Sequence, residues 1–343
     1  MTVMSGLMLR GGRVAELVQQ PVPEPGPGQV LLRIMASGLC GSDFVAYRKP
    51  AEQGGGLAII SGHEPAGVVV ATGPQTKLFH VDDRVFAYHV VGCGVCHQCR
   101  NGYMVMCKSP EKAAYGGGRD GGHAEYMLAE ERTLVALPDE LNFADGAMLA
   151  CSASTAYGAT LRGEVTARDT VLVVGLGPVG LCAVQFCVAL GARVIAVEPN
   201  ALRATRALEL GVEKVFAPGE EATQGVADWT KGAGVSVSIE CAGNDRAREF
   251  CLEAIGQWGR VVYVGFGGQE ISFNPPAMIL RKQTTLRGSW VASLGQMEDA
   301  AAFMATRNMH TSDLVTHYFK LEDGPEAYRI FDGGKTGKVI IQA

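Results

Sequence analysis

The sequence has little charge and no excess of positive charge. Of its 343 residues 19% are charged, and 30 lysines and arginines against 35 aspartates and glutamates give a net charge of −5. The chain therefore lacks the basic field that attracts nucleic acid, and we expect no nucleic-acid partner. The hydrophobic fraction of 47% is typical of a globular chain. The length is sufficient for two domains, each with its own core.

The sequence also has no recognisable leader and no clear membrane segment. Its start, MTVMSGLMLRGGRVAEL, shows no basic region followed by a long apolar core and a small-residue cleavage site. Residues 170–192 carry no charge and are long enough to span a bilayer, but three glycines and a proline divide them into a strand and a helix. We expect a cytoplasmic protein with no membrane partner, in which disulfides are disfavoured.

The pattern of apolar residues changes near residue 152. Before it, short runs such as GVVVATG and DRVFAYHV are separated by glycine and proline, which predicts an all-β domain of short strands and turns. After it, the apolar runs VLVVGLG, VIAVEP, VSVSIECAG and RVVYVGFG alternate with helical segments, one of them NDRAREFCLEAIGQWG. This alternation predicts an α/β domain with a parallel, doubly wound sheet. The final segment, KVIIQA, predicts a strand able to return to the first domain.

The segment VVGLGPVG contains the pattern G-x-G-x-x-G at Gly175, Gly177 and Gly180. It follows a predicted strand and opens a predicted helix, which is the context of a dinucleotide-binding turn. The first glycine allows the tight turn, the second lets the backbone approach a pyrophosphate, and the third allows close helix–strand packing. Pro178 and Val179 complete the turn at the helix N-terminus, where free N–H groups favour phosphate.

An acidic residue, Glu198, ends the next predicted strand. Its carboxylate can accept hydrogen bonds from an adenosine ribose and would repel a 2′-phosphate, so NAD is favoured over NADP. Arg203 lies close by in the sequence and could help to hold a phosphate, and a solvated glutamate is the alternative interpretation.

Four cysteines, Cys93, Cys96, Cys99 and Cys107, have the spacing C-x2-C-x2-C-x7-C. Disulfides are disfavoured in a reducing compartment. An iron–sulfur run of the ferredoxin type would have a last gap of three residues followed by proline, and Lys108 follows here. Four thiolates in a glycine-rich loop suit a structural zinc ion. His97, in the same loop, is a further candidate ligand, but since four thiolates already close the site we expect it to be an exposed loop residue.

Three other residues have the chemistry of a second zinc site. Cys40 lies in GLCGSD, His63 in SGHEPAG and Cys151 in LACSASTAYGA. Two thiolates, one imidazole and one open position would make a catalytic zinc site. Each residue taken alone is also compatible with an ordinary buried position, and the spacing does not show that the three meet.

The ordered set C-G-S-D, G-H-E-x2-G, four-cysteine lobe and G-L-G-P-V-G resembles the zinc-dependent medium-chain alcohol and polyol dehydrogenase family, over essentially the whole chain. The resemblance implies a GroES-like catalytic domain (residues 1–151 and 288–343) and a Rossmann NAD-binding domain (152–287). It also implies two zinc ions per chain and a homodimer or homotetramer.

The resemblance further implies roles for individual residues. Cys40, His63 and Cys151 correspond to the catalytic zinc ligands, and Glu64 to a residue that is a ligand in some members and lies behind the ligands in others. Asp43 would orient His63, and Ser42 would take the alcohol proton. Cys241, in SIECAGN, would lie near the nicotinamide.

The implied reaction is oxidation of an alcohol or polyol, with hydride passing from a zinc-bound alkoxide to NAD. The alternatives are a zinc-free quinone or enone reductase of the same fold and a non-catalytic NAD-binding protein. One departure from the family is Val45, at a position where many members carry a histidine of the proton relay.

Overall fold

The computed structural model describes Thr2–Ala343 and divides into two compact units. Unit 1 contains the chain up to Ser154 together with Ser293–Ala343, and unit 2 is Thr155–Ala292. The predicted boundaries lie at 151/152 and 287/288, whereas the units change at 154/155 and 292/293.

Seventeen strands are present within residues 2–343. They are β1 (Val3–Gly11), β2 (Val14–Pro21), β3 (Gln29–Gly38), β4 (Pro65–Thr72), β5 (Arg84–Ala87), β6 (Val90–Val91), β7 (Ala113–Ala114), β8 (Tyr126–Glu130), β9 (Leu134–Ala136), β10 (Thr170–Val174), β11 (Arg193–Val197), β12 (Lys214–Phe216), β13 (Val235–Glu240), β14 (Ile255–Tyr263), β15 (Thr285–Gly288), β16 (Val315–Lys320) and β17 (Lys338–Gln342).

Ten α-helices accompany the strands in the same part of the chain. They are α1 (Phe44–Arg48), α2 (His97–Arg100), α3 (Phe143–Leu149), α4 (Ser152–Arg162), α5 (Pro178–Ala189), α6 (Ala201–Glu209), α7 (Glu220–Trp229), α8 (Asp245–Ala254), α9 (Leu294–Thr306) and α10 (Gly324–Asp332). Across the described residues, no helix combines the length and apolar character needed to cross a bilayer.

Unit 2 contains a six-stranded parallel sheet in the order β12-β11-β10-β13-β14-β15. Its central strands are buried on both faces, as expected of a parallel sheet covered by helices, and Leu172, Ile195 and Val261 belong to one apolar core. The strand order reverses next to β10, and this switch point is where α/β sheets bind ligands. The predicted doubly wound sheet is confirmed.

Unit 1 contains a seven-stranded sheet in the order β16-β17-β3-β4-β5-β9, with β8 also paired to β3. Its pairs are antiparallel except that of β16 with β17. The strand β17 pairs with β3 through Ile340 and Ile341, so the predicted return of the last strand to the first domain is confirmed. Unit 1 is therefore mainly β, and unit 2 is α/β.

Two element predictions were wrong. The region before residue 150 is not all strands and turns, because α3 forms behind an Asn142 cap whose side chain accepts the N–H of Asp145. The helix predicted over NDRAREFCLEAIGQWG ends at Ala254, and Ile255 already pairs with Val235 in the sheet. Glycines at 256 and 259 weaken the helix there, and tertiary pairing decides the boundary.

Candidate functional site

The four cysteines of the lobe converge on one point. The Cys93 and Cys99 sulfurs are 3.9 Å apart, as are those of Cys96 and Cys107. All four sulfurs lie within 4.8 Å of one another. A tetrahedron with Zn–S bonds of about 2.3 Å has sulfur–sulfur edges of about 3.8 Å, so these residues fit a zinc ion closely. None of the ten cysteines, all within the described residues, forms a disulfide.

Backbone N–H groups prepare the lobe sulfurs for a cation. The Cys107 sulfur accepts N–H groups from Cys93 and Ser109, each at 3.4 Å. These bonds lower the pKa of Cys107 to about 6, which favours the thiolate that binds metal. His97 is exposed, bonds to Asn101 at 3.0 Å and is not part of the four-residue group.

Ligand atoms of Cys40, His63, Glu64 and Cys151 form a second group and also lie within 4.8 Å of one another. Cys40 follows β3, His63 and Glu64 precede β4, and Cys151 lies between α3 and α4. The pairing of β3 with β4 brings Cys40, His63 and Glu64 together. Between Cys40 and His63 the sequence has 22 residues. Glu64 is fully buried, and the other three are partly accessible.

Asp43 fixes the orientation of His63. Its Oδ1 lies 3.0 Å from His63 Nδ1, and its Oδ2 accepts the Cys40 N–H at 2.9 Å. Burial opposes a charge on the imidazole, but Asp43 and Cys40 outweigh it and raise the pKa of His63 well above its usual value. Because Nδ1–H donates to Asp43, a metal would bind at Nε2, displacing the proton that this nitrogen carries in the charged ring. The Ser42 hydroxyl lies 3.5 Å from this Nε2.

Glu64 is held by two residues that sequence reasoning missed. Its Oε2 accepts from Lys338 Nζ, and its Oε1 accepts the Ser152 hydroxyl at 3.2 Å. Lys338 Nζ also donates to Ser152 Oγ at 3.1 Å. Lys338 is fully buried, and burial lowers its pKa, but Glu64 together with the Cys40 and Cys151 sulfurs outweighs burial and raises the pKa of the lysine. Lys338 is 274 positions from Glu64 in the chain, so no local pattern could have indicated the pair.

His89 lies beside the second group, with its ring centroid 5.5 Å from that of His63. Its Nδ1 lies 3.1 Å from the Ala150 carbonyl oxygen, and burial lowers the pKa of His89 to about 4. His89 is therefore a neutral imidazole whose Nδ1–H donates to this carbonyl. Val45, at the relay position, lies in α1 with 72% of its surface exposed.

In unit 2, the Gly-rich turn joins β10 to α5 as predicted. Gly175 has φ +88°, a conformation that favours glycine, and a Cβ on Gly180 would collide with the Gly175 carbonyl oxygen. No atom lies within 4 Å of a Cβ built on Gly177, the glycine through which a pyrophosphate would approach. Pro178 and Val179 occupy the first turn of α5.

Glu198 is buried at the end of β11, directly beside this turn. Its Oε2 accepts the Leu176 N–H at 2.7 Å, and its Oε1 accepts the Asn200 N–H at 2.9 Å. Each oxygen keeps a lone pair for a further donor. Asn200 also caps α6 by accepting the Arg203 N–H, which places Arg203 in the first turn of that helix. Cys241 follows β13, and a Cβ on Gly180 would lie 3.5 Å from its Cβ.

Family profiles match both parts of the chain. The alcohol dehydrogenase GroES-like domain matches residues 26–139, and the zinc-binding dehydrogenase domain matches residues 178–306. The chain is 42% identical, over 99% of both chains, to the uncharacterized zinc-type alcohol dehydrogenase-like protein YphC of Escherichia coli strain K12. It is 31% identical to the L-threonine 3-dehydrogenase of Pyrococcus horikoshii, over 96% of this chain and 95% of that one.

Among solved structures, that of AibC superimposes with a TM-score of 0.88 at 30% identity, covering 99% of this chain and 96% of the other. The fold, the matched domains and these relatives together define a zinc-type oxidoreductase. The chain belongs to the zinc-dependent medium-chain alcohol dehydrogenase family.

Proposed function

We propose that this protein oxidises an alcohol or polyol reversibly, with zinc and NAD as cofactors. The observation that carries the proposal is the convergence of Cys40, His63, Glu64 and Cys151 next to the Ser42 hydroxyl. Thiolate and imidazole are the donors that zinc prefers, and a partly accessible group of them suits a catalytic rather than a structural site. The lobe cysteines would hold a second, structural zinc ion.

The charges of the second group favour Cys40, His63 and Cys151 as the ligands. Two thiolates would balance the two positive charges of zinc. The charge of Glu64 is already balanced by Lys338, with which it forms an ion pair in the fully buried interior. A hydrogen bond from the Cys151 thiol lowers the pKa of Cys40 well below its usual value, so one thiolate is favoured even before metal binds. Glu64 would remain behind the ligands, held by Lys338 and Ser152.

A zinc ion bound there supplies a Lewis acid that lowers the pKa of an alcohol, and NAD supplies the hydride acceptor. Ser42 would relay the hydroxyl proton of the substrate, because its Oγ is the hydroxyl beside His63 Nε2. It would take that proton on Oγ while its own O–H proton passes to water. Asp43 keeps the imidazole in one tautomer and one orientation throughout. Val45 offers no group that could carry the proton further.

The preference for NAD rests on Glu198. Its carboxylate accepts two backbone N–H groups beside the Gly-rich turn and can take ribose hydroxyls, whereas a 2′-phosphate would meet a negative charge. The similarity to an L-threonine 3-dehydrogenase supports an alcohol as the substrate class.

The test combines metal analysis with a substrate panel. Purified protein is expected to contain two zinc ions per chain and to form NADH from members of a panel of primary, secondary and polyhydroxy alcohols, with NADP as the comparison cofactor. Metal-depleted protein should be inactive and should recover when Zn²⁺ is restored, which serves as the control. Full activity without zinc would contradict the assigned role of the metal, and zinc-independent reduction of a quinone or enone by NADH or NADPH would indicate the reductase alternative. Metal-loaded, folded protein that turns over no member of the panel would contradict the proposal.

A further inference from the structure

The hydrogen bonds that begin at His63 continue beyond Asp43. Asp43 Oδ2 accepts the Tyr328 hydroxyl at 3.3 Å in addition to the Cys40 N–H at 2.9 Å. The Tyr328 hydroxyl oxygen lies 3.1 Å from His123 Nε2. Tyr328 and His123 are both 0% exposed and Asp43 is 8% exposed, so water does not compete for these contacts. A buried chain of four side chains therefore ends at a candidate zinc ligand.

In this series of hydrogen bonds, each donor lies on the side of its acceptor that is farther from Asp43. A carboxylate only accepts, so the Tyr328 hydroxyl must donate to it. The single hydroxyl hydrogen is then used, and the contact with His123 requires Nε2–H to donate to the hydroxyl oxygen. Burial lowers the pKa of His123 to about 4, so its ring is neutral and Nδ1 is left as a bare acceptor. This Nδ1 is buried and has no hydrogen-bond partner among the described residues. A buried polar atom of this kind needs an explanation.

Backbone contacts hold His123 against the loop that carries His63. The His123 N–H donates to the Ser61 carbonyl at 2.9 Å, and its own carbonyl accepts the Leu7 N–H at 2.8 Å. A Cβ on Gly62 would lie 2.5 Å from the His123 ring. The ring therefore packs directly on the backbone next to His63. A buried Nδ1 without a hydrogen bond lowers the stability of the fold. We explain its presence by the opposite side of the ring, where Nε2–H donates to the Tyr328 hydroxyl oxygen.

We propose that Tyr328 and His123 are positioning residues, which act through Asp43 to hold the His63 imidazole in the orientation that binds zinc. The inference rests on the proposed function, since it assumes that Cys40, His63 and Cys151 bind a metal. Two donors on Oδ2 prevent the carboxylate from rotating, and Oδ1 then presents a fixed acceptor to His63 Nδ1–H. Tyr328 and His123 do not contact substrate or metal, so their effect is on the metal's affinity and coordination geometry.

The rival explanation is that Tyr328 only packs. Its ring lies 5.2 Å from that of Tyr47, and both belong to one apolar cluster. Tyr328→Phe keeps the ring and removes the hydroxyl that contacts Asp43. Tyr47→Phe removes a hydroxyl from a tyrosine of the same cluster that is also buried, at 2% exposure. The Tyr47 hydroxyl, unlike that of Tyr328, makes no hydrogen bond to the Asp43 carboxylate. The two variants form a matched pair, and the rival explanation predicts the same result for both.

The experiment uses full-length protein depleted of the metal at the second site and titrated with Co²⁺, whose d–d absorption reports coordination geometry. Loss of an outer partner of a metal-binding histidine typically weakens metal affinity 10–100-fold. We expect Tyr328→Phe to weaken Co²⁺ binding roughly 10-fold and to alter the absorption bands, and Tyr47→Phe to match the wild type. Equal affinities and spectra for Tyr328→Phe and the wild type would overturn the proposal.

Two further arms keep the proposal falsifiable if Tyr328→Phe folds poorly. His123→Gln retains an N–H near the position of Nε2 and should bind Co²⁺ more tightly than His123→Leu. Equal loss of affinity in both variants would contradict the assigned donor role of His123.

In an Asp43→Asn background, Tyr328→Phe should weaken Co²⁺ binding little further, because its effect passes through the carboxylate. Full additivity would refute that route. Failure of the proposed function would look different, because wild-type protein would then take up no Co²⁺ at the second site.

Discussion

Replacing Lys338 by methionine tests the most consequential pair in unit 1. Lys338 and Glu64 are each 0% exposed, and Lys338 Nζ donates to both Glu64 and Ser152. Methionine fills a similar volume but leaves the carboxylate buried without its compensating charge. Breaking a buried pair in this way costs about 3–5 kcal/mol, and the loss of two contacts here favours the upper part of that range. We expect Lys338→Met to lower the stability of unit 1 by this amount.

The assay must report on unit 1 alone. All three tryptophans, Trp229, Trp258 and Trp290, lie in unit 2, so tryptophan fluorescence is unsuitable. Amide hydrogen exchange of peptides from β4 and β17 is appropriate, with peptides from β10 as the internal reference. A loss of 3–5 kcal/mol corresponds to exchange roughly 10²–10⁴-fold faster where opening involves the whole unit.

Two controls separate charge from packing. Lys320→Met removes a lysine of the neighbouring strand β16 whose ion pair with Glu322 is exposed, and it should have little measurable effect. The double variant Lys338→Met with Glu64→Gln removes both charges and should recover much of the stability. Exchange in Lys338→Met that matches the wild type, or a double variant no better than the single one, would refute the assigned role of the ion pair.

Three further outcomes are expected. Cys99→Ser should lower the stability of unit 1 and reduce the zinc content from two ions per chain to one, because the lobe needs its metal to fold. His97→Ala is the control, and two zinc ions per chain in Cys99→Ser would contradict the assignment of the lobe as a zinc site. Ser42→Ala should lower kcat roughly 10²–10⁴-fold with zinc content unchanged, and an unaltered kcat would remove Ser42 from the proton path. Glu198→Ala should narrow the difference between the KM for NAD and the KM for NADP. Wild-type protein that uses both cofactors equally would show that Glu198 does not set a cofactor preference.

Local signals allowed much of unit 2 to be predicted. The glycines of the turn act over a few residues, and the structure has them in the turn that the sequence predicted. The end of α8 was misplaced because pairing of Ile255 with Val235, a tertiary contact, decides it. The α3 helix was missed although Asn142 and Asp145 form a capping box, a signal that was present in the sequence.

The second ligand group shows the limit of reasoning from spacing. The cysteine lobe is contained in one loop, so its spacing carried the prediction. The association of Cys40, His63 and Cys151 came from the family resemblance, because strand pairing and α3 bring them together over long separations. Lys338, Tyr328 and His123 match no motif, and only the fold shows that Lys338 contacts Glu64, that Tyr328 contacts Asp43 and that His123 contacts Tyr328.

The order in which the chain is synthesised gives the insertion of unit 2 a kinetic consequence. Thr155–Ala292 is contiguous and can fold as soon as it leaves the ribosome, as domains generally do during synthesis. Unit 1 cannot complete its folding at that stage, because Lys338, the partner of Glu64, is synthesised 274 positions later. Until then, the Glu64 carboxylate lacks its lysine partner, and the sheet of unit 1 lacks β17. The nascent protein is expected to depend on chaperones or early zinc capture over this interval, and variants that slow β17 docking should aggregate before they lose activity.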